Sequence, residues 1–476
     1  MVGGESRTVL IIAFISGMCS LLVEIAGSRV LAPFMGTTIY TWAAVIGLVL
    51  ASLSAGYYLG GTLADRHHDR KHLSMILASA AIATVLVPFL GGLILPFTPA
   101  LDLALASLVG AAILVPPSVF YGMVSPYAVK LTSIKGEEGK SAGMVFAVST
   151  VGSIAGALGT GFILVPNLPL ASIFILAGLL MLLCSFWGAT KGSRLFELLP
   201  FALLAFFALQ LDLQPLLPGA EVVYRADTQY YRIQVLDTVH NGGPARLLFL
   251  DNALSSGERP DGSPAFNYVL ATREAYDAAG KVENALVIGS AAGTEIEELK
   301  RAFPSASVDG VDIDPKLFGI GQAYFSLEDD NRTEIFTDDA RRYVRTTEKK
   351  YDLVVIDAFR GLSIPYHLTT KEFLSELKGA MAGDGVVIVN IISAVEGERS
   401  DIFVLMHNTF SSEFRNVRAI PVGDSPQKPQ NIILVATDRD LSDFEEMHAS
   451  GIYRGAIPDA EPLTDSLNSV DLYAVR

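Results

Sequence analysis

Three apolar runs in the second half of the chain each deliver an aspartate to a carboxyl end. "SVDGVDID" carries Asp312 and Ile313, "RTEIFTDD" carries Asp338 and Asp339 with Ala340 next, and "YDLVVIDAFRG" carries Asp357. A fourth run, "ALVIG", precedes them and opens into "GSAAGTE", where Gly289 and Gly293 flank Ser290 and permit close backbone approach. The helix start that follows such a loop offers free N–H groups. An acidic side chain about two dozen residues after the loop, here Asp312, can accept both hydroxyls of a ribose. Asp338, Asp339 and Ala340 are placed to accept from an adenine amino group, which leaves Asp357 for acid–base work. One such aspartate is most often a helix cap. Three in succession after a glycine loop read as a nucleoside site. His367, in "SIPYHLTT", follows Asp357 where a lid would be expected, and its titration near neutral pH makes it a candidate base or proton shuttle. Tyr230, Tyr231 and Tyr366 can supply walls or hydroxyls.

These residues need a frame. From about residue 221, "YYRIQVLDTV" and "ARLLFLDNAL" joined across "HNGGP" read as a β-hairpin. From about 285, short strands alternate with helices such as "TEIEELKRAF", "PKLFGIGQAYF" and "TKEFLSELKGAMA", which predicts a doubly wound α/β sheet with ligands at the carboxyl ends of its strands.

The first 213 residues are of another kind. Apolar runs near 8–31, 39–62, 73–95, 100–124, 141–164, 170–190 and 195–213 are long enough to cross a hydrocarbon layer, which predicts a membrane all-α bundle of about seven segments. They account for the mean hydropathy of +0.42. The net charge of −15 falls mostly on the second half and argues against nucleic acid as a partner. Cys19 and Cys184 lie in apolar runs without metal-ligand spacing, so no metal is expected. Basic clusters at 66–71, at Lys130, Lys135 and Lys140, and at Lys191 and Arg194 mark alternate loops as cytoplasmic. Seven crossings from an internal start would leave the second half outside the cell. Within the first run Glu24 and Arg29 are either a site or a structural pair. "GGTLADRHHDRK" resembles the loop between the second and third helices of major facilitator transporters. Gly152, Gly156, Ala157 and Gly161 suit close helix packing.

With these residues in view the chain resembles the spermidine synthase family in its membrane-fused bacterial form. "LLVEIAGSRVLAPFMGT" and "GLVLASLSAGYYLGGTLADR" match the fused membrane half. "TQYYRIQV", "LFLDN" and Thr370-Lys371-Glu372-Phe373 match the aminopropyltransferase half. The resemblance implies a domain plan of 1–213 for the membrane, 214–280 for a β-hairpin subdomain and 281–476 for a Rossmann-like domain. It also implies binding of S-adenosylmethionine or its decarboxylated form as substrate, with ribose on Asp312, adenine on Asp339 and Asp357 beside the reacting centre. A homodimer in contact with membrane lipid is the expected state.

Departures from that family fall on the amine side. Ala292 stands where the synthases have an Asp in the glycine loop, Arg360 where they have a second Asp, and Tyr231 and Ser255 where they have Gln. Val269 and Leu270 replace the His and Glu of a Tyr-His-Glu segment. A diamine needs acceptors and negative charge, and one like-charge contact near 4 Å costs about 4 kcal/mol at an effective dielectric of 20. Ordinary putrescine binding is therefore not expected. A guanidinium suits a carboxylate, which places Arg360 on the carboxylate of intact S-adenosylmethionine. Three activities follow as alternatives: an aminopropyl-type transfer or cyclisation releasing methylthioadenosine, a methyltransferase, and a nucleoside-gated transporter or sensor. The cytosolic donor favours a bacterial inner-membrane protein with a cytoplasmic soluble domain.

Overall fold

The apolar runs of the first half become helices α1 (Gly4–Met35), α2 (Ile39–Arg66), α3 (Arg70–Ile94), α4 (Leu103–Ala111), α5 (Val115–Thr132), α6 (Glu138–Gly159), α7 (Val165–Asn167) and α8 (Leu170–Ser185). A further helix, α9, covers 198–206. The computed structural model describes residues 4–35, 39–100, 103–133, 136–187, 198–206, 217, 219–358 and 365–468. It divides into two compact units, Met1–Gln214 with Ala226–Gln229, and Pro215–Arg225 with Tyr230–Arg476.

Seven crossings were expected. Among the described residues five helical stretches are long and apolar enough to cross a membrane: Glu5–Ala32, Thr41–Arg66, Arg70–Ile94, Ala104–Thr132 and Glu138–Asn167. The sixth run is the shorter helix α8, of 16 residues, and most of the rest of the seventh run lies outside the described residues. α1 and α6 cross closely, because a Cβ on Gly152 or Gly156 would collide with the carbonyl oxygens of Phe14 and Met18. Gly161 departs from that expectation. It lies in a π-helical turn, Thr160–Leu164, and an added Cβ there would meet open space.

The helical unit has two chemically distinct ends. At one, Arg70 pairs with Glu5, Lys130 donates to Asp65 at 2.7 Å, and the Tyr127 hydroxyl donates to the His67 carbonyl. At the other, the Leu170 N–H donates to Asp227 at 3.3 Å and Arg29 reaches the Thr228 carbonyl. Residues 226–229, the last of this unit before Tyr230, therefore lie away from the basic loops.

The second unit opens with a four-stranded antiparallel sheet, β1 (Glu221–Asp227), β2 (Arg232–His240), β3 (Gly243–Leu250) and β4 (Ala253–Glu258). Asn241 and Gly242, both at positive φ, make the two-residue turn between β2 and β3. Helix α10 (Asn267–Ala275) leads to strands β5 (Asn284–Ile288), β6 (Ser307–Asp312), β7 (Thr333–Thr337), β8 (Tyr351–Ile356), β9 (Met381–Ser393), β10 (Asn416–Pro421) and β11 (Gln430–Thr437). Their order is β10-β11-β9-β8-β5-β6-β7. The five strands from β7 to β9 are parallel, while β11 and β10 run antiparallel at one edge. This is the Rossmann-like arrangement expected from the sequence. Its near-continuous apolar strands, such as Val386–Val389, are buried on both faces. Strand order reverses between β5 and β8, so the carboxyl ends of those two strands frame the crevice where such sheets bind ligands.

Candidate active site

The loop after β5 is held from three sides. Gly289 donates to the Val311 carbonyl at 2.9 Å, and the Asp357 N–H donates to the Ile288 carbonyl at 2.9 Å. Gly289 has φ +79°, and a Cβ there would lie 2.7 Å from Ala358 Cα, so only glycine lets the ends of β5 and β8 approach this closely. Gly293, at φ +83°, donates to Ser290 O at 2.7 Å and starts helix α11 (Thr294–Ala302). Asp312, nearly buried, accepts from the Ala291 N–H at 3.2 Å and from the Asp314 N–H at 3.1 Å. Its carboxylate thus shapes the glycine loop as well as the end of β6, and Ile313 follows it half-buried. Ser290 Oγ is buried and has no hydrogen-bond partner. A buried hydroxyl left unpaired inside a glycine loop fits a ligand whose polar atoms complete it.

After β7, Asp339 caps helix α13 (Ala340–Thr346), accepting from the Arg342 N–H at 3.0 Å. Asp338 accepts from the Asp339 N–H at 2.9 Å and pairs with Arg342 at 3.1 Å. His367 Nε2 lies 2.8 Å from Asp339 Oδ2, which ties the histidine to the carboxylate at the end of β7. Behind it Arg341 makes paired bonds to Glu376 and Asp465 and donates to the His367 carbonyl at 3.2 Å. The two carboxylates hold the Arg341 guanidinium above its ordinary pKa. Arg341 in turn, with Arg345, holds Glu376 down at about 2.

Asp357 is gripped by residues the motifs did not single out. Tyr268, on α10, donates its hydroxyl to Oδ2 at 3.0 Å, and Asn390, on β9, donates its amide to Oδ1 at 2.9 Å. Asn431, on β11, donates to Asn390 Oδ1 at 3.0 Å and fixes which way that amide points. A polar residue within the apolar strand "GVVIVNII" was the available signal for Asn390. For Tyr268 it was the tyrosine of the Tyr-His-Glu resemblance. Tyr230 stands at the entry to β2 with its ring 6.3 Å from that of Tyr231. Arg360 lies outside the described residues.

One further acid was missed because a glutamate in a helical first turn reads as an ordinary dipole partner. Glu295 is 4 % exposed, and its Oε2 has no hydrogen-bond partner. Burial first, then the nearby Asp357 and Glu298 carboxylates, push its pKa well above the usual carboxylate range. The protonated form of Glu295 is thereby favoured, next to Asp357.

Comparison with known proteins finds likenesses for the second unit and, more distantly, for most of the chain. The spermine/spermidine synthase domain matches residues 272–422. A polyamine aminopropyltransferase of Vibrio vulnificus is 36 % identical over 131 residues, which cover 27 % of this chain and 44 % of that protein, under half its length. Polyamine aminopropyltransferase 2 of Aquifex aeolicus is 23 % identical over 393 residues, covering 79 % of this chain and 77 % of the relative. Among solved structures, spermidine synthase from Thermotoga maritima aligns with a TM-score of 0.39 at 18 % identity, covering 54 % of this chain and 84 % of the other. Residues 272–422 of the second unit thus match the spermine/spermidine synthase domain, and among the described residues the first unit has five long apolar helices.

Proposed function

We propose that the chain is a membrane-embedded transferase that binds S-adenosylmethionine or its decarboxylated form and moves the aminopropyl-type chain, releasing methylthioadenosine. The observation that carries this reading is Asp357, oriented by Tyr268 and Asn390 beside a glycine loop closed by Asp312. The ribose is assigned to Asp312, with Ser290 and the loop N–H groups beside it, and the adenine end to Asp338, Asp339 and Ala340.

The sulfonium makes the adjacent carbon electrophilic, so the protein must position a nucleophile and receive its proton. An amine attacks the chain carbon bonded to sulfur. A C–N bond forms, the C–S bond breaks, and its electron pair returns to sulfur as a neutral thioether. The proton leaves the new ammonium for the Asp357 carboxylate or for solvent. Tyr268 and Asn390 each donate to one carboxylate oxygen and hold the group in place for that role.

An acceptor other than putrescine is supported by what stands at the amine side. Val269 is buried, Leu270 is 45 % exposed and Ala292 is buried, and none of them can accept a proton from an ammonium group. The assignment of Arg360 to a donor carboxylate rests on the sequence alone.

The test is to incubate the purified chain with each donor, with and without amines, and to identify the nucleoside product by mass spectrometry. Methylthioadenosine is expected; adenosylhomocysteine would make the protein a methyltransferase, and tight binding without turnover would favour a sensor or transporter. Asp357→Asn should abolish turnover while donor binding persists. Normal activity in that variant removes Asp357 from the mechanism.

We place the chain in a bacterial inner membrane. The basic loops belong on the cytoplasmic face, and a cytosolic donor calls for the soluble unit inside. A C-terminal alkaline phosphatase fusion tests this, because activity of the fusion would refute a site fed from the cytosol.

A further inference from the structure

The helical unit contains a cavity of about 250 Å³ lined by Ile25, Ser28, Arg29, Trp42, Gly161 and Gln229, among others. Most of its lining is apolar, and one cation enters it. Among the described residues Arg29 makes a single hydrogen bond, from Nη2 to the Thr228 carbonyl at 3.4 Å, and its Nε is buried with no partner. Glu24, five residues earlier on α1, forms no ion pair with it among the described residues. A guanidinium on an apolar helix without a carboxylate is costly, and such a group ordinarily faces a partner.

The wall opposite is also irregular. α6 gives way to the π-helical turn Thr160–Leu164 beside the cavity, and Thr160 Oγ1 in that turn is buried without a partner. Turns of this kind cluster at functional sites. Gly161, within it, faces open space. Trp42 is 44 % exposed, as suits an aromatic ring at a membrane–water interface.

We propose that this cavity binds the anionic headgroup of a membrane amphiphile, a carboxylate or phosphate carried on an acyl chain, with Arg29 as its counter-ion. The volume is that of about eight water molecules, enough for a headgroup and the first methylenes while the rest of the chain lies in lipid. Arg29 supplies two parallel donors suited to either anion. The mostly apolar lining suits an amphiphile better than a small hydrated ion. The site stands apart from the transferase reading and needs only that the helical unit lies in a membrane.

The full chain in detergent is titrated with nitroxide-labelled stearate, and the bound fraction is read from the immobilised component of the electron paramagnetic resonance spectrum. One saturable site is expected, displaced by unlabelled stearate and by phosphatidylglycerol. Octadecanol, with the same chain and no charge, should compete at least 10-fold more weakly, and inorganic phosphate more weakly still. Arg29→Gln should lower affinity by about 10- to 100-fold, the range for a lost hydrogen bond to a charged group. Gly161→Leu, which fills the cavity without touching the arginine, should abolish the site. Equal competition by octadecanol would overturn the proposal in favour of nonspecific apolar binding, and equal competition by phosphate would make the site one for a free anion. Unchanged binding in both variants would likewise overturn it. Because binding is read without turnover, failure here is separable from failure of the transferase reading.

Discussion

Replacing Asn390 by Asp puts a second carboxylate where an amide now donates to Asp357 Oδ1 at 2.9 Å. The side chains are nearly isosteric, and the Asn431 amide can donate to the new carboxylate as it does to Asn390 Oδ1, so the strand should keep its place. The electrostatics change sign. Two ionised carboxylates about 4 Å apart repel by about 4 kcal/mol at an effective dielectric of 20, or roughly three pKa units. The pair should share one proton and hold it to higher pH than Asp357 does beside the amide. The assay is methylthioadenosine release across pH 5–10, read as kcat/KM. Its acidic limb should move up by about three units. Asn390→Leu is the control, since it removes the donor and adds no charge. A lost hydrogen bond to a charged group is worth about 1.5–3 kcal/mol, so that limb should move by roughly one to two units. Equal shifts in the two variants would refute the reasoning, because charge at residue 390 would then not reach Asp357. No shift in either would mean that ionisation of Asp357 does not limit the reaction.

Glu295→Gln should stabilise the chain increasingly as pH rises. The folded pKa of Glu295 is raised, so its penalty is absent below the unfolded value near 4.5 and grows above it. Melting temperatures at pH 5 and pH 9 should show the wild-type deficit widening, and a constant gap would contradict the buried neutral acid. Arg341→Leu leaves Glu376 to Arg345 and Asp465 to Thr370, and should cost about 1–2 kcal/mol at pH 7 because both carboxylates keep a partner and partial solvation. Because Glu376 is held down, that loss should narrow as pH falls below about 4.5 toward about 2, and the melt should follow. Gly289→Ala should damage nucleoside binding more than Gly293→Ala, since its Cβ meets the Ala358 backbone while that of Gly293 meets the movable Leu327 side chain. Calorimetric titration with the donor would show equal losses if loop geometry did not matter.

The frame was largely legible in the sequence. Apolar runs of the right length gave the helices, and the alternation of strand and helix from Asn284 to Thr437 gave the sheet, because backbone pattern alone sets both. The glycine loop and the aspartates after β6, β7 and β8 were legible for the same reason, being fixed to strand ends. What could not be read was who touches them. Tyr268 and Asn390 lie 89 and 33 residues from Asp357 in sequence and meet it only through packing of α10 and β9. His367 follows Asp357 by ten residues in sequence and bonds Asp339, a pairing that spacing alone does not reveal. Glu295 has the pattern of a solvated acid and becomes buried only when α10 covers the first turn of α11.

The bond between Arg341 and Asp465 joins a residue just after β7 to one near the end of the described chain. Asn431 likewise reaches Asn390 from a strand that pairs only after β9 has formed. During synthesis the glycine loop and all the aspartates leave the ribosome well before either brace exists. Both braces therefore close only after the last strands have been made, so a chain cut short between residue 373 and β11 would carry the glycine loop and the three strand-end aspartates but neither brace.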